Sequence, residues 1–249
     1  GGTPIFLRGD DLQIGRGETI SDTAKIISGF ASALIVRTFA QSDVDELGAH
    51  STIPVLNGLT DTDHPTQLLA DWLTIREVFG SDVSGRKFTY VGDGNNMAHA
   101  WLTMGAIMGA HVVVATPDGK WAPAKDAIQS AKNIASKTGA KIEVLTDPEA
   151  AAKDASVLYT DVWMSMGDPE EVRTEKLKAL APFAITKNLM SLTASDSIFM
   201  HCLPAHRGEE VAAEVIDGPK SVIWREAFHR RTTIQAVLYH LVRGELTGN

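Results

Sequence analysis

The stretch FTYVGDGNNMAHAW, residues 88–101, joins a short apolar run to a segment of helical spacing through a glycine-containing turn. The next apolar run, HVVVAT at residues 111–116, does not alternate between apolar and polar side chains. Strands of this kind are typical of parallel sheets that helices cover on both faces. This succession of strand, turn, helix and strand therefore predicts a parallel α/β sheet.

The same alternation of elements extends through the rest of the chain. Apolar runs predict nine strands, at Ile5–Leu7, Ala33–Thr38, Pro54–Asn57, Phe88–Gly92, His111–Thr116, Lys141–Leu145, Val157–Val162, Ser197–Cys202 and Ser221–Trp224. Segments with a 3.6-residue period predict helices at residues 21–30, 42–49, 65–79, 95–108, 123–138, 148–154, 169–180, 209–216 and 226–243. The pattern favours doubly wound, Rossmann-like α/β domains.

Nine strands are many for one open sheet, and the polar stretch GSDVSGR at residues 80–86 breaks the pattern. We therefore predict two doubly wound parallel-sheet domains, the first at residues 1–80 and incomplete at its N-terminus, the second at residues 81–225. The last helix, within residues 226–249, is expected to pack back on the first domain.

Composition excludes several classes of protein. Hydrophobic residues make up 44% of the 249 residues, which argues against a disordered chain. The net charge of −8 argues against a nucleic-acid partner, since phosphate binding needs a basic face. The single cysteine excludes an internal disulfide and suits a reducing compartment. We predict a cytoplasmic protein without a membrane partner, because the sequence has no apolar segment of about 18 residues.

Polar or reactive side chains follow several of the predicted strands. Ligands of doubly wound sheets bind outside the carboxyl ends of the strands, so these residues are the first candidates for a site. They are Arg37, Asn57, Asp93–Asn96, Asp161–Met166 and His201–Pro204. Arg37 could meet a phosphate or carboxylate, or form a structural salt bridge.

Two helix starts also carry candidate anion-binding groups. In DHPTQ, residues 63–67, Pro65 suits a first helical turn, and the free amides there attract anions. His64 and Gln67 would add donors, although simple helix initiation also explains the motif. Arg230 lies near the start of the last helix, against the macrodipole, which indicates an anionic ligand, a nearby acid or an exposed basic face.

Two further motifs allow competing interpretations. Gly92 and Gly94 suggest a nicotinamide-dependent oxidoreductase, but Met97 occupies the third glycine position and no acidic residue ends the next strand. Asn95 and Asn96 either cap the helix or bind a small ligand. Cys202 is either a proton-handling thiol or an inert buried one. His201, Cys202 and His206 form a poor zinc pattern, so no metal is predicted.

Seven segments, in one order along the chain, resemble the aspartate/ornithine carbamoyltransferase family. They are QIGRGETISDTAK (13–25), VRTF (36–39), NGLTDTDHPTQLLADWLTI (57–75), GDGNNMAHAWL (92–102), TDVWMSMG (160–167), HCLPAHRG (201–208) and EAFHRRTTIQAV (226–237). HPTQ would also fit the aspartate branch. The Ser165-Met166-Gly167 turn together with HCLP selects the ornithine branch.

The resemblance implies a role for each matching residue. Carbamoyl phosphate would contact Gln13, Arg37, His64, Pro65, Thr66, Gln67, Cys202, Leu203 and Arg230. Ornithine would contact Asn96, Asp161, Ser165 and Met166. Catalysis would rest on Cys202 as the proton-handling group, with Arg37, His64 and Asp161. The resemblance further implies a carbamoyl phosphate-binding first domain, an ornithine-binding second domain, no cofactor, and a homotrimer or a multiple of trimers.

The sequence departs from the family at its start. The family's Ser-Thr-Arg-Thr-Arg motif, which grips phosphate, belongs upstream of Gly1-Gly2. We therefore expect the chain to lack the first part of its first domain. Whether this chain is active by itself is left open. One alternative is a truncated, non-catalytic relative that binds only amino acids or other subunits.

Overall fold

The computed structural model describes residues 2–9, 12–14, 17–164 and 169–245. Its packing divides the chain into two compact units. The smaller comprises residues 1–60 and 236–249, and the larger comprises residues 61–235. This division falls before residue 80, and the predicted functional boundary at 80/81, like the packing of the last helix, stays a prediction.

In its described residues, the smaller unit contains two α-helices, two strands and the end of the last helix. Its elements are α1 (Ile20–Ser28), β1 (Leu34–Arg37), α2 (Gln41–His50) and β2 (Val55–Leu59). β1 and β2 pair in parallel. The apolar run SALIVRT (32–38) predicts a strand buried on both faces, but along β1 half-buried side chains alternate with the exposed Ile35 and Arg37. In the described part of the chain, one face of this two-stranded sheet is therefore not covered.

The larger unit is built around a five-stranded sheet. Its strands are β3 (Lys87–Val91), β4 (His111–Ala115), β5 (Lys141–Leu145), β6 (Val157–Thr160) and β7 (Ile198–His201). Its helices are α3 (Pro65–Phe79), α4 (Asn96–Ile107), α5 (Lys125–Thr138), α6 (Pro148–Ala152), α7 (Arg173–Leu180), α8 (Lys187–Ser191), α9 (Ala213–Ile216) and the first part of α10 (Ile223–Val242).

All pairings in this sheet are parallel, in the spatial order β5-β4-β3-β6-β7. The predicted α/β fold class with parallel sheets is thereby confirmed. Two clusters of buried apolar side chains, one containing Trp101 and the other Phe199, form the core. The chain reverses its direction of strand addition between β3 and β6. Such a reversal opens a crevice at the carboxyl ends of the two strands.

Glycine is required at two close approaches in this unit. A Cβ on Gly94, in the turn after β3, would lie 2.3 Å from the backbone of Ala122 and Pro123. A Cβ on Gly105, within α4, would lie 2.2 Å from a methyl group of Val112 on β4. Real Cβ atoms do not approach other atoms this closely, so larger residues would displace the backbone.

Several predictions of elements were wrong. Residues 5–7 form no strand, and their side chains are exposed. Ser221–Trp224 was predicted as a strand, but α10 begins at Ile223. Helix α8 was not predicted at all, and α9 begins four residues later than expected. Short apolar runs do not distinguish a strand from a buried helical turn, which accounts for the error at 221–224.

None of the helices within the described ranges is long and apolar enough to cross a membrane.

Candidate active site

Asp161 lies at the crevice between β3 and β6, directly after the last residue of β6. Its Oδ2 atom accepts a hydrogen bond of 2.8 Å from the amide nitrogen of Asn95, in the turn after β3. Asn95 is at the same time the N-cap of α4, because its Oδ1 atom accepts from the N–H groups of Met97 and Ala98. The capping interpretation of Asn95 is thereby confirmed, and its binding of a small ligand stays a prediction.

Cys202 completes this cluster from the carboxyl end of β7. Its Sγ atom donates a 2.9 Å hydrogen bond to Oδ1 of Asp161. Burial raises the pKa of the Cys202 thiol well above its ordinary value, and the charge of Asp161 raises it further. The thiol is therefore protonated at neutral pH and acts as a donor.

This geometry bears on how the pair would handle a proton. A protonated thiol that donates to a carboxylate cannot accept a proton, whereas the carboxylate of Asp161 can. Among the described residues, the donors to its two oxygens are electrically neutral: the thiol of Cys202, the side-chain amide of Asn95 and the N–H of Val162. A cationic amine could displace them with a gain in electrostatic energy.

The start of α3 has the predicted form. Pro65 occupies the first turn and His64 the N-cap, without a side-chain capping bond. His64 is buried, and its Nδ1 atom lies 3.3 Å from the hydroxyl oxygen of Thr66. Gln67 is fully buried one residue further on. This helix start consequently carries polar side chains inside the protein, which simple helix initiation does not require.

Gln67 connects α3 with α10. Its Oε1 atom accepts a 2.6 Å hydrogen bond from Arg230, and its Nε2 atom donates to Asp71, at 2.7 Å, and to Glu226, at 3.0 Å. Arg230 was predicted to meet an anionic ligand or an acid. It meets the oxygen of a neutral amide and faces the charge of Asp71.

Asp71 and Glu226 form a buried carboxyl pair that the sequence prediction missed. Both side chains are fully buried, and both accept a hydrogen bond from Nε2 of Gln67. Burial raises the pKa of Asp71 to about 7, and burial together with the charge of Asp71 raises the pKa of Glu226 well above its ordinary range. The sequence offered one signal for these contacts: Asp71 lies four positions after Gln67, and Glu226 lies four positions before Arg230, so each acid is one helical turn from a predicted site residue.

The free energy of unfolding is expected to fall as the pH rises from about 4 to about 7. Asp71 keeps its proton up to about pH 7 in the folded chain but loses it near pH 4 when unfolded. In that window the folded state binds more protons, so rising pH favours unfolding. Asp71→Asn should flatten this slope in urea unfolding at a series of pH values. An unchanged slope, compared with the control Glu77→Gln, would contradict the pKa assignment.

The remaining predicted site residues are placed as follows. Leu203 follows Cys202, with a positive φ of 59°, and its N–H donates to Nδ1 of His201 at 2.8 Å. Asn96 is the first residue of α4, next to the Asn95 that contacts Asp161. Gln13 and Arg37 belong to the smaller unit, where both side chains are exposed. Ser165 and Met166 lie outside the described residues. The site roles of all these residues stay predictions.

Among the residues that the structure describes, one group of side chains has donor atoms spaced for a metal ion. His206, Glu209 and Glu210 place these atoms within 4.8 Å of one another. Glu209 already accepts from Arg173 at 3.0 Å, and Glu210 accepts from the N–H of His206. The other oxygen of Glu210, Oε2, is buried without a hydrogen-bond partner among the described residues. Each of the two carboxylates therefore already binds one protein donor, and such contacts form without a metal ion.

Two family models cover most of the chain. Residues 1–77 match the carbamoyl-P binding domain of the aspartate/ornithine carbamoyltransferases, and residues 84–241 match their Asp/Orn binding domain. The ornithine carbamoyltransferase of Pyrococcus horikoshii is 48% identical over the whole of this chain, which covers 77% of that protein. The ornithine carbamoyltransferase of Oceanobacillus iheyensis is 49% identical over 97% of this chain and 74% of its own length.

Solved structures give the same result. The ornithine carbamoyltransferase of Pyrococcus furiosus matches with a TM-score of 0.90 and 47% identity, over 98% of this chain and 76% of that one. The anabolic ornithine carbamoyltransferase of Campylobacter jejuni matches with a TM-score of 0.88 and 35% identity, over 94% of this chain and 77% of that one. The chain spans about three quarters of these relatives and belongs to the aspartate/ornithine carbamoyltransferase family, on its ornithine carbamoyltransferase branch.

Proposed function

We propose that this chain transfers the carbamoyl group of carbamoyl phosphate to the δ-amine of L-ornithine, giving L-citrulline and phosphate. The observation that carries the proposal is the carboxylate of Asp161 at the crevice of the sheet, held by neutral donors. A carboxylate in this setting is suited to an amine substrate. The ornithine carbamoyltransferases that the chain resembles over its whole length support the identity of that amine.

The proposed carbamoyl phosphate-binding set combines positive charge with neutral donors. Arg37, His64 and Arg230 would bind the phosphate and the carbonyl oxygen. The N-terminus of α3, at Pro65 and Thr66, would add the positive end of its helix dipole beside the phosphate. Gln13, Gln67, Cys202 and Leu203 complete the proposed set. Asn96, Asp161, Ser165 and Met166 form the proposed ornithine-binding set.

The reaction requires one bond to form and one to break. The δ-nitrogen of ornithine attacks the carbamoyl carbon, and the resulting tetrahedral intermediate carries a negative oxygen. Arg37 and His64 are proposed to stabilise that oxygen. The intermediate then expels phosphate, and the nitrogen loses a proton. Asp161 is the proposed acceptor, because Cys202 is protonated and serves as a donor.

Citrulline formation from carbamoyl phosphate and L-ornithine tests the proposal directly. Product should appear with ornithine, and should be absent or much slower with putrescine, N-acetylornithine or aspartate in its place. The competing hypothesis is a chain that binds ornithine without transferring the carbamoyl group. Ornithine binding by calorimetry in the absence of any product would favour that hypothesis over the enzyme.

Arg37→Ala is expected to raise the KM for carbamoyl phosphate by roughly 10- to 100-fold, because a hydrogen bond to a charged group contributes about 1.5–3 kcal/mol. The KM for ornithine should change little. Arg8→Ala, which removes an exposed arginine outside the predicted site, serves as the control. A wild-type KM for carbamoyl phosphate in Arg37→Ala would remove Arg37 from the proposed site.

A cytoplasmic location and assembly into trimers remain predictions from the sequence. The metabolic direction is also a proposal: the word anabolic in the name of the Pyrococcus furiosus relative supports a role in arginine biosynthesis. Size-exclusion chromatography with light scattering would test the trimer.

A further inference from the structure

We infer that Asp71 and Glu226 are positioning residues, which together fix the amide of Gln67 and, through it, the guanidinium of Arg230 for carbamoyl phosphate. Neither acid belongs to the set implied by the family's motifs. The inference rests on the proposed function, because it assigns Gln67 and Arg230 to the carbamoyl phosphate half of the site.

The orientation of the Gln67 amide is the first step. An amide has a donor end and an acceptor end, and only one orientation satisfies all of its neighbours. Nε2 faces two carboxyl groups, at 2.7 and 3.0 Å, so Oε1 must face Arg230, at 2.6 Å. The reversed amide would place its N–H groups against a guanidinium and its oxygen against two carboxyls. The acid pair therefore decides which end Gln67 presents to Arg230.

Glu226 also connects three segments that supply proposed site residues. Its Oε1 atom binds Gln67 on α3, and its Oε2 atom accepts the N–H of His201 at 3.0 Å, directly before Cys202 and Leu203. Glu226 itself lies one helical turn before Arg230 on α10. One carboxyl group thus holds α3, the end of β7 and α10 in register with each other.

The acidity of both side chains also favours a positioning role. Burying two acids is costly, and apolar side chains of similar volume would commonly stabilise a fold at least as well. Stability alone therefore does not explain why both positions are acidic. Arg230, Tyr159 and Cys202 are the charged or titratable groups that face the pair, from α10, β6 and the end of β7. Both carboxyls accept a hydrogen bond from Nε2 of Gln67, which apolar side chains at these positions could not do.

The test compares variants that keep or remove the acceptors. Asp71→Asn and Glu226→Gln retain a side-chain oxygen for Gln67, whereas Asp71→Leu and Glu226→Met keep the volume and remove it. We expect the apolar variants to raise the KM for carbamoyl phosphate roughly tenfold or more, while the KM for ornithine stays within about twofold. The amide variants should recover most of the loss. Glu77→Gln, on the same helix and in contact with His229 of α10, is the control and should behave as wild type.

The outcomes separate the inference from the proposed function. Lower thermal stability without a change in the ratio of the two KM values would show a merely structural pair and overturn the inference. If the wild-type chain forms no citrulline, the proposed function fails. Calorimetry with carbamoyl phosphate and with inorganic phosphate on the same variants then decides the inference: weaker binding in the apolar variants supports it, and unchanged binding overturns it. Should the apolar variants fail to fold, Asp71→Ala and Glu226→Ala, which remove the acceptor without adding apolar atoms, take their place: weaker carbamoyl phosphate binding supports the inference, and unchanged binding overturns it.

Discussion

Asp161→Asn is expected to lower kcat/KM for ornithine by roughly 30- to several-thousand-fold, which corresponds to about 2–5 kcal/mol for the loss of one partner of a buried charge pair. Asn has a single side-chain oxygen, so it can accept from Cys202 or from Asn95 but not from both, because these two groups donate to different oxygens of Asp161. It cannot compensate the positive charge of a substrate amine or accept its proton. The loss should therefore fall on ornithine, while the KM for carbamoyl phosphate changes little.

Steady-state kinetics with each substrate varied in turn would measure this separation. Asp196→Asn is a suitable control, because it removes an exposed carboxylate of the same unit that pairs with Arg86 and lies outside the predicted site. Equal losses for both substrates would indicate a general distortion of the site. Wild-type kinetics for ornithine would contradict the assignment of Asp161 as the amine-binding carboxylate.

Cys202→Ala is expected to lower kcat by about 10²-fold, at the low end of what a positioned proton-transfer group contributes. The thiol donates to Oδ1 of Asp161, so its removal leaves that oxygen with the N–H of Val162 and fixes the orientation of the carboxylate less firmly. The free energy of unfolding should change by only about 1 kcal/mol, since Cys behaves as a small apolar residue in packing.

Cys202→Ser separates donation from packing. Serine restores a hydroxyl donor to Asp161 at nearly the same volume, and we expect it to recover a large part of the rate that alanine loses. Unfolding in urea, measured beside kcat, shows whether activity and stability change together. Unchanged turnover in Cys202→Ala would make the thiol an inert core residue.

The sequence predicted those parts of the site that depend on topology. Asp161 and Asn95 are 66 positions apart, but each follows the carboxyl end of a strand. Because neighbouring parallel strands have their carboxyl ends at the same edge of the sheet, the two residues lie close together. The family's motifs selected the same region. Residue type and topology were sufficient here, because the contact follows from the order of the strands.

The acid pair could not be predicted in the same way. Asp71 and Glu226 lie on different helices, and their approach depends on how α3 and α10 pack rather than on strand order. Taken alone, each acid is typical of the exposed face of a helix. Likewise, the thiol of Cys202 could not be identified as a donor from its position, because its pKa depends on burial and on the neighbouring carboxylate.

The close approach at Gly94 has a consequence for the nicotinamide alternative. In dinucleotide-binding proteins, the corresponding glycine lets the pyrophosphate of the cofactor lie against the backbone of the turn. In this chain the space beside Gly94 holds the protein's own backbone, which a Cβ would meet at 2.3 Å. The N–H of Gly94 donates to the carbonyl of Trp121, where a phosphate oxygen would otherwise accept it. The turn at Gly94 is thus an internal packing contact rather than a phosphate-binding turn, which disfavours a dinucleotide in the crevice beside it.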